Sequence, residues 1–206
     1  GRISPKYLHP GPGYGGSCLP KDARAIIKTG LNHGIDMSLI KSVINANEKQ
    51  KERIFFKLVR LLTHDLDNND IPAGMANLKK TLKGNTITVL GLAFKQETDD
   101  IRESPSSTLI QRLIDAGATV RAHDPKAADN FAKIYPSVLY FSTSYEALRG
   151  ADALVLMTEW NEYRSLDLQK AAAMMKGLRI LDARNLLDPL EAVEQGFLYD
   201  CVGRKT

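Results

Sequence analysis

Ile87-Thr88-Val89-Leu90-Gly91 is a short apolar run closed by a glycine, and Ser104-Pro105 follows it ahead of Leu109, Ile110, Leu113 and Ile114. The run has the length and β-branched content of a buried strand. Serine then proline, followed by apolar residues spaced by threes and fours, is a helix start with N-cap and N1 filled, and Gly117 is its stop. The alternation continues downstream. Strands are expected at Ala118–Ala122, Val138–Phe141, Ala153–Met157 and Leu178–Leu181, with helices near Tyr145–Leu148 and Leu168–Met175. Strands alternating with helices predict an α/β fold with a doubly wound parallel sheet over residues 83–206. Ligands on such sheets lie beyond the strand C-termini, which directs attention to the loops 91–103, 158–164 and 182–185.

Residues 1–82 read differently. Met37, Ile40 and Ile44 at one end, and Ile54, Phe55, Leu58, Leu61 and Leu62 at the other, predict a long helix over 36–62. Its middle, Asn45 to Arg53, is polar all round, so the helix is expected to be buried at both ends, wet between, and to connect two parts of the molecule. Asp65 to Pro72 reads as a loop. The segment 41–60 holds Lys41, Lys49, Lys51, Arg53, Lys57 and Arg60 against Glu48 and Glu52, which accounts for the net charge of +4. No aromatic residues interleave these cations, so they are a solvated charged face and not a nucleic-acid surface.

The chain has 206 residues, 43% hydrophobic and 25% charged, with 15 glycines and 9 prolines. These are ordinary globular proportions and exclude a disordered or fibrous chain. No apolar run approaches the length of a membrane span. Two cysteines at opposite ends do not make a disulfide scaffold, and His9, His33, His64 and His123 lack metal-ligand spacing. A cytoplasmic, metal-free protein is expected. From the start at Gly1-Arg2-Ile3-Ser4, without Met or a targeting signal, a piece of a longer chain is expected.

Gly11-Pro12-Gly13-Tyr14-Gly15-Gly16 satisfies the G-x-G-x-x-G pattern formally. The dinucleotide fingerprint needs a strand leading in; Pro5 and Pro10 break that segment, and Pro12 removes a backbone donor. The glycines instead supply a side-chain-free loop against which a bulky substrate can lie. Ser17-Cys18-Leu19-Pro20-Lys21-Asp22 follows. Pro20 fits a first helical turn and places Cys18 just before a helix N-terminus, beside Lys21 and Arg24, a setting that favours a reactive thiolate. Asp22 lies four residues on, on the same face, where it can position water or a cation, or act as a base. Cys201, in an apolar strand-like tail, reads as a buried structural residue.

Gly13 to Asp22 resembles the catalytic-cysteine signature of the UDP-glucose/GDP-mannose dehydrogenase family. Gly91-Leu92-Ala93-Phe94-Lys95 with Thr98-Asp99-Asp100-Ile101-Arg102-Glu103-Ser104 resembles its C-terminal nucleotide-sugar domain, and Thr158-Glu159-Trp160 and Asp182-Ala183-Arg184 fall in the expected order. Among members, Tyr7 to Cys18 is most similar to bacterial enzymes acting on UDP-glucose.

The resemblance implies a catalytic-cysteine and helical dimerisation region over 1–82 and a UDP-sugar-binding, Rossmann-like domain over 83–206. The family's N-terminal NAD-binding domain, which also supplies a catalytic lysine and asparagine, has no counterpart here. It implies a four-electron oxidation of a sugar C6 alcohol to a carboxylate with two NAD, through a thiohemiacetal and a thioester on Cys18, with Asp22 as the second catalytic residue. It further implies that Tyr7, Leu8, His9, Pro10, Gly11 and Gly15 line the sugar nucleotide, that Phe94, Lys95 and Arg184 hold it, and that Lys21 and Arg102 reach NAD. A homodimer through the helix 36–62 and its neighbours is expected. So is binding of UDP or a UDP-sugar by this chain alone, without oxidation. Two alternatives stay open: another sugar nucleotide, such as GDP-mannose or a UDP-N-acetyl sugar, and a non-catalytic sugar-nucleotide-binding module.

Overall fold

The strand expected at Ile87 is β1 (Thr86–Leu90), the centre of a six-stranded sheet. A computed structural model describes residues 8–63 and 81–204. The expected loop at Asp65 to Pro72 and the candidate residue Tyr7 lie outside the described residues.

The remaining strands are β2 (Thr119–His123), β3 (Leu139–Tyr140), β4 (Ala153–Leu156), β5 (Arg179–Asp182) and β6 (Leu198–Cys201). Their order across the sheet is β3-β2-β1-β4-β5-β6 and every pairing is parallel. This is the doubly wound arrangement expected from the sequence. Its order reverses between β1 and β4, where β1 pairs in register with both neighbours, Leu90 facing His123 on one side and Leu156 on the other. Such a switch point opens a crevice above the strand C-termini.

Burial on both faces explains the short apolar runs of the two central strands, β1 and β4. Along β1 and β4, Ile87, Val89, Ala153 and Val155 face one cluster, and Leu90, Leu154 and Leu156 face the other. The first cluster is covered by α2 (Ser38–Thr63) and α3 (Pro105–Asp115), through Ile54, Phe55 and Leu58 of α2 and Leu109, Ile110 and Leu113 of α3. The second lies under α5 (Ser144–Leu148), α6 (Asn161–Arg164), α7 (Leu168–Met174) and α8 (Pro189–Glu194), which contribute Leu148, Tyr163, Leu168 and Ala192. The short α4 (Ala128–Ala132) buries Phe131 in the first cluster. As read from the sequence, Ser104 caps α3 by accepting from the Ser106 amide, Pro105 stands in its first turn, and Gly117 follows with φ 81°.

The front of the chain is helical, α1 (Cys18–Asn32) leading into α2. The middle of α2 corrects the sequence reading. It is not solvated all round: Asn47 and Lys51 are 8% and 3% exposed. Both spend their polar groups on the glycine loop and its surroundings.

Candidate functional site

The glycine loop is clamped between α2 and the loop after β1. From α2, Gln50 Nε2 donates to the Gly11 carbonyl at 2.8 Å. Asn47 accepts from the Tyr14 amide at 2.8 Å and donates to the Tyr14 carbonyl at 3.1 Å, so a side-chain carboxamide stands in for a paired strand. From the other side, the Gly16 amide donates to the Arg102 carbonyl at 2.8 Å. Glycine is required by these approaches. A Cβ on Gly15 would sit 2.4 Å from the Glu103 carbonyl oxygen, and one on Gly16, where φ is +85°, would sit 2.9 Å from the Phe94 ring.

Cys18 opens α1 directly after this loop. It occupies the first helical residue, one turn position later than the sequence reading placed it, because Ser17 serves as the N-cap position without a capping hydrogen bond. The thiol is free and exposed, with Ser17 Oγ 3.8 Å from Sγ. Asp22 lies one turn further along α1. The two cations expected to attend the thiol have carboxylate partners instead. Lys21 Nζ is 3.3 Å from Asp22 Oδ1, and Arg24 Nη2 is 3.0 Å from Glu103 Oε1.

Phe94, Lys95 and Arg184 converge at the strand C-termini. The Phe94 ring packs on Gly16, and the Lys95 ammonium lies 5.5 Å from that ring's centroid. Arg184 is not a surface charge. Its Nε donates to the Met157 carbonyl at 2.9 Å and its Nη2 to the Phe94 carbonyl at 3.1 Å, so one planar guanidinium ties the loop after β4 to the loop after β1. Burial pushes it below the ordinary guanidinium range, an effect that Glu159, with Oε2 3.1 Å from Arg184 Nε, opposes. The turn that aims it is built by Asp182, whose carboxylate accepts from the amides of Arg184, Leu186 and Leu187 and from the Tyr199 hydroxyl. Gly11 closes the ring: a Cβ there would lie 3.4 Å from Arg184 Nη1.

The other candidate residues stand further out. Leu8, His9 and Pro10 are exposed, with Pro10 near Gly203. The Lys21 and Arg102 side chains are 73% and 67% exposed. Arg102 forms a two-pronged contact with Asp100, its Nε donating at 2.9 Å and its Nη2 at 2.8 Å, which raises the guanidinium and lowers the carboxyl.

Sequence reasoning passed over Asn47, Gln50, Lys51 and Glu103. Lys51 Nζ lies 2.9 Å from Glu48 Oε1 and 3.5 Å from Glu103 Oε2, and Glu103 holds φ +53°. A positive φ at a non-glycine residue was the hidden feature there, and nothing in a sequence marks it. Among the described residues no helix is long and apolar enough to cross a membrane, and no group of three or more His, Cys, Asp or Glu side chains is placed to hold a metal.

A Rossmann-ordered sheet with cationic and aromatic side chains gathered above its switch point has the architecture of the α/β nucleotide-binding folds, here with an exposed helix-start cysteine at the rim. Comparison with known proteins makes the class specific. Residues 88–189 match the UDP-binding domain, and residues 1–49 the central domain, of the UDP-glucose/GDP-mannose dehydrogenase family. The chain belongs to that family. A UDP-glucose 6-dehydrogenase of Rhizobium meliloti is 38% identical over 204 residues, 99% of this chain and 43% of that protein. A UDP-glucose dehydrogenase structure from Pyrobaculum islandicum superposes with a TM-score of 0.71 at 32% identity, covering 90% of this chain and 38% of its own. An NDP-N-acetyl-D-galactosaminuronic acid dehydrogenase from Methanosarcina mazei gives 0.78 at 29% identity, covering 95% and 39%. The chain thus spans less than half the length of these relatives.

NAD, implied by the family, is fitted here in part. Lys21 and Arg102, exposed cations next to the Cys18 segment, suit the phosphates of a dinucleotide arriving from outside. The start of α3 offers a dinucleotide few free donors: the Ser104 and Ser106 hydroxyls donate to the Leu92 and Gly91 carbonyls at 2.7 and 2.9 Å, and the Ser106 amide donates to Ser104 Oγ.

Proposed function

We propose that this chain is the catalytic-cysteine and nucleotide-binding part of a UDP-glucose 6-dehydrogenase, with residues 1–82 carrying the cysteine and the dimer helix and 83–206 carrying the nucleotide site. One observation carries the reading: the loop ending in Cys18 is docked on the loop that presents Phe94 and Lys95, with Arg184 between Gly11 and Phe94. A thiol and a diphosphate-binding group then share one crevice, as a nucleotide sugar requires.

In this reading Lys95 and Arg184 neutralise the diphosphate, and Phe94 and Gly11 to Gly15 form the wall along which the sugar runs toward Cys18. NAD, when bound, supplies the hydride acceptor, with Lys21 and Arg102 on its phosphates. Cys18 Sγ adds to the C6 aldehyde, giving a thiohemiacetal. Once C6 has reached the acyl level as a thioester, water attacks the carbonyl, the C–S bond breaks, and the acid leaves as the thiol is restored. Asp22, one turn along the same helix, orients that water.

Two copies pair, in the same reading, through α1 and the start of α2. Leu19, Ile26, Leu31, Ile35, Leu39 and Val43 are exposed there, and apolar side chains at such density on paired helices mark an interaction face. Sedimentation as a strict monomer at high concentration would count against it.

Alkylation of Cys18 by iodoacetamide, read by peptide mapping, tests the function. UDP-glucose should protect Cys18 and leave its rate saturably reduced, and Cys201, which is buried and whose thiol burial pushes up, should label far more slowly throughout. An unprotected Cys18 at saturating UDP-glucose would refute the shared crevice.

A further inference from the structure

Asp124 stands directly after β2 and is 4% exposed. Its carboxylate accepts five hydrogen bonds. Oδ1 takes the amides of Lys126 at 2.9 Å and Ala127 at 2.8 Å. Oδ2 takes the amides of Leu92 at 2.7 Å and Ala93 at 3.1 Å and the indole Nε1 of Trp160 at 3.1 Å. The nearest lysine in sequence, Lys126, directs its ammonium to Glu97 at 2.8 Å. A buried carboxylate satisfied by N–H donors alone is a strong, rigid anchor, because each bond is charge-assisted and none can be surrendered without exposing the others.

The anchor's position gives it a use. Leu92 and Ala93 lead straight into Phe94 and Lys95, and Trp160 follows Glu159, which faces Arg184. The Ala93 carbonyl is held as well, by Thr158 Oγ1 at 2.6 Å, so Ala93, from which Phe94 follows, is fixed at both its amide and its carbonyl. One carboxylate therefore sets the register of the loop that offers Phe94 and Lys95 against the loop whose Glu159 attends Arg184. It also uses up the two backbone amides that follow Gly91, which leaves an incoming diphosphate to side chains.

We propose that Asp124 is a positioning residue of the nucleotide site, acting through Leu92, Ala93 and Trp160 to hold Phe94, Lys95 and Arg184 in their binding arrangement. The proposal rests on the functional reading above and deepens it.

Trp160 is the single tryptophan of the chain, so its indole N–H gives one nitrogen-resolved NMR signal. In Asp124→Asn one acceptor oxygen becomes an NH2 group that faces donors, and one side of the anchor is lost. The indole signal should shift, the Phe94 amide, bonded to the Asp100 carbonyl at 3.1 Å, should exchange faster with solvent, and UDP should bind about tenfold more weakly. Asp152→Asn is the comparison. That carboxylate is also buried but lies at the opposite end of the strands, accepting from the Thr86 amide at 2.8 Å and pairing with Lys176 at 2.9 Å. Its loss should lower stability without moving UDP affinity or Phe94 exchange. Trp160→Phe, which removes only the indole donor, should weaken UDP by a smaller factor and serves if Asp124→Asn does not fold. Unchanged Phe94 exchange and UDP affinity in Asp124→Asn, or equal losses in Asp152→Asn, would overturn the proposal. If the unaltered chain binds no UDP while Asp124→Asn still frees the Phe94 amide, the positioning role stands and the nucleotide reading falls.

Discussion

Asn47 grips Tyr14 by both ends of its peptide, accepting from the amide at 2.8 Å and donating to the carbonyl at 3.1 Å across 33 residues of sequence. The carboxamide of asparagine or glutamine offers a donor and an acceptor side by side in this way. Because Tyr14 lies four residues before Cys18, the long helix fixes the loop that carries Cys18 directly.

Asn47→Leu keeps the γ-branched shape and removes both bonds. The Tyr14 peptide would be left partly buried without partners, a loss of about 1–3 kcal/mol. Thermal unfolding should shift down accordingly, and Cys18 should lose its protection by UDP-glucose. A variant with a normal melting temperature and full protection would show that the clamp is incidental.

The second long-range tie is ionic. Lys57 Nζ lies 2.7 and 2.6 Å from the two carboxylate oxygens of Asp200, joining α2 to β6, with both side chains largely buried. Removing one partner strands a buried charge, so Lys57→Met should cost about 3–5 kcal/mol, and Lys57→Met with Asp200→Leu should recover much of it. Urea titration measures both. A double variant less stable than the single one would mean that the pair contributes more than hydrophobic replacement does.

Both ties bear on how much the sequence discloses. Five of the six strands were legible, β1 and β4 most plainly because they are buried on both faces and read as short apolar runs, while β6, interrupted by Asp200, read only as a strand-like tail; α3 was legible because serine, proline and glycine punctuate it. The helices α4, α6 and α8 were not read, since four to six residues do not complete enough turns to show a period. Cys18 and the loops above the strands announced themselves through residue type and place. Asn47 and Lys51 did not, because a polar residue on a polar helix looks solvated until the tertiary structure brings a peptide or a carboxylate to it. Asp124 was not singled out in the sequence, because an aspartate before a proline is an ordinary turn pair.

Four tyrosines give stability a defined alkaline limit. Tyr140 is pushed up to about 12 from 10.0 by burial, and burial raises Tyr135, Tyr163 and Tyr199 as well. A raised tyrosine favours the fold while it is neutral. Its contribution is complete below pH 10, where both states are protonated, and is lost as pH rises from 10 toward the folded value, because only the unfolded chain releases the proton. The melting temperature should fall steeply above pH 10, with tyrosinate absorbance appearing at unfolding. Tyr140→Phe should flatten the slope. Free titration of all tyrosines in the folded chain would refute the assignment.

The diphosphate contacts proposed above divide Lys95 from Arg184. Lys95 is an exposed ammonium over a ring face, a point charge that can meet a phosphate without rearranging anything. A charge-assisted contact to phosphate is worth about 1.5–3 kcal/mol, so Lys95→Ala should weaken UDP by about tenfold to a hundredfold, nearer the lower figure because solvent reaches it. Arg184 has a second duty, since its fork also holds the Met157 and Phe94 carbonyls. Arg184→Lys keeps the charge but cannot span both carbonyls and a phosphate, so it should weaken UDP as much as Lys95→Ala does and loosen Phe94 in addition. Calorimetry with UDP, with the Phe94 amide followed by hydrogen exchange, separates the two roles. Equal Phe94 protection in the two variants would assign Arg184 to charge alone.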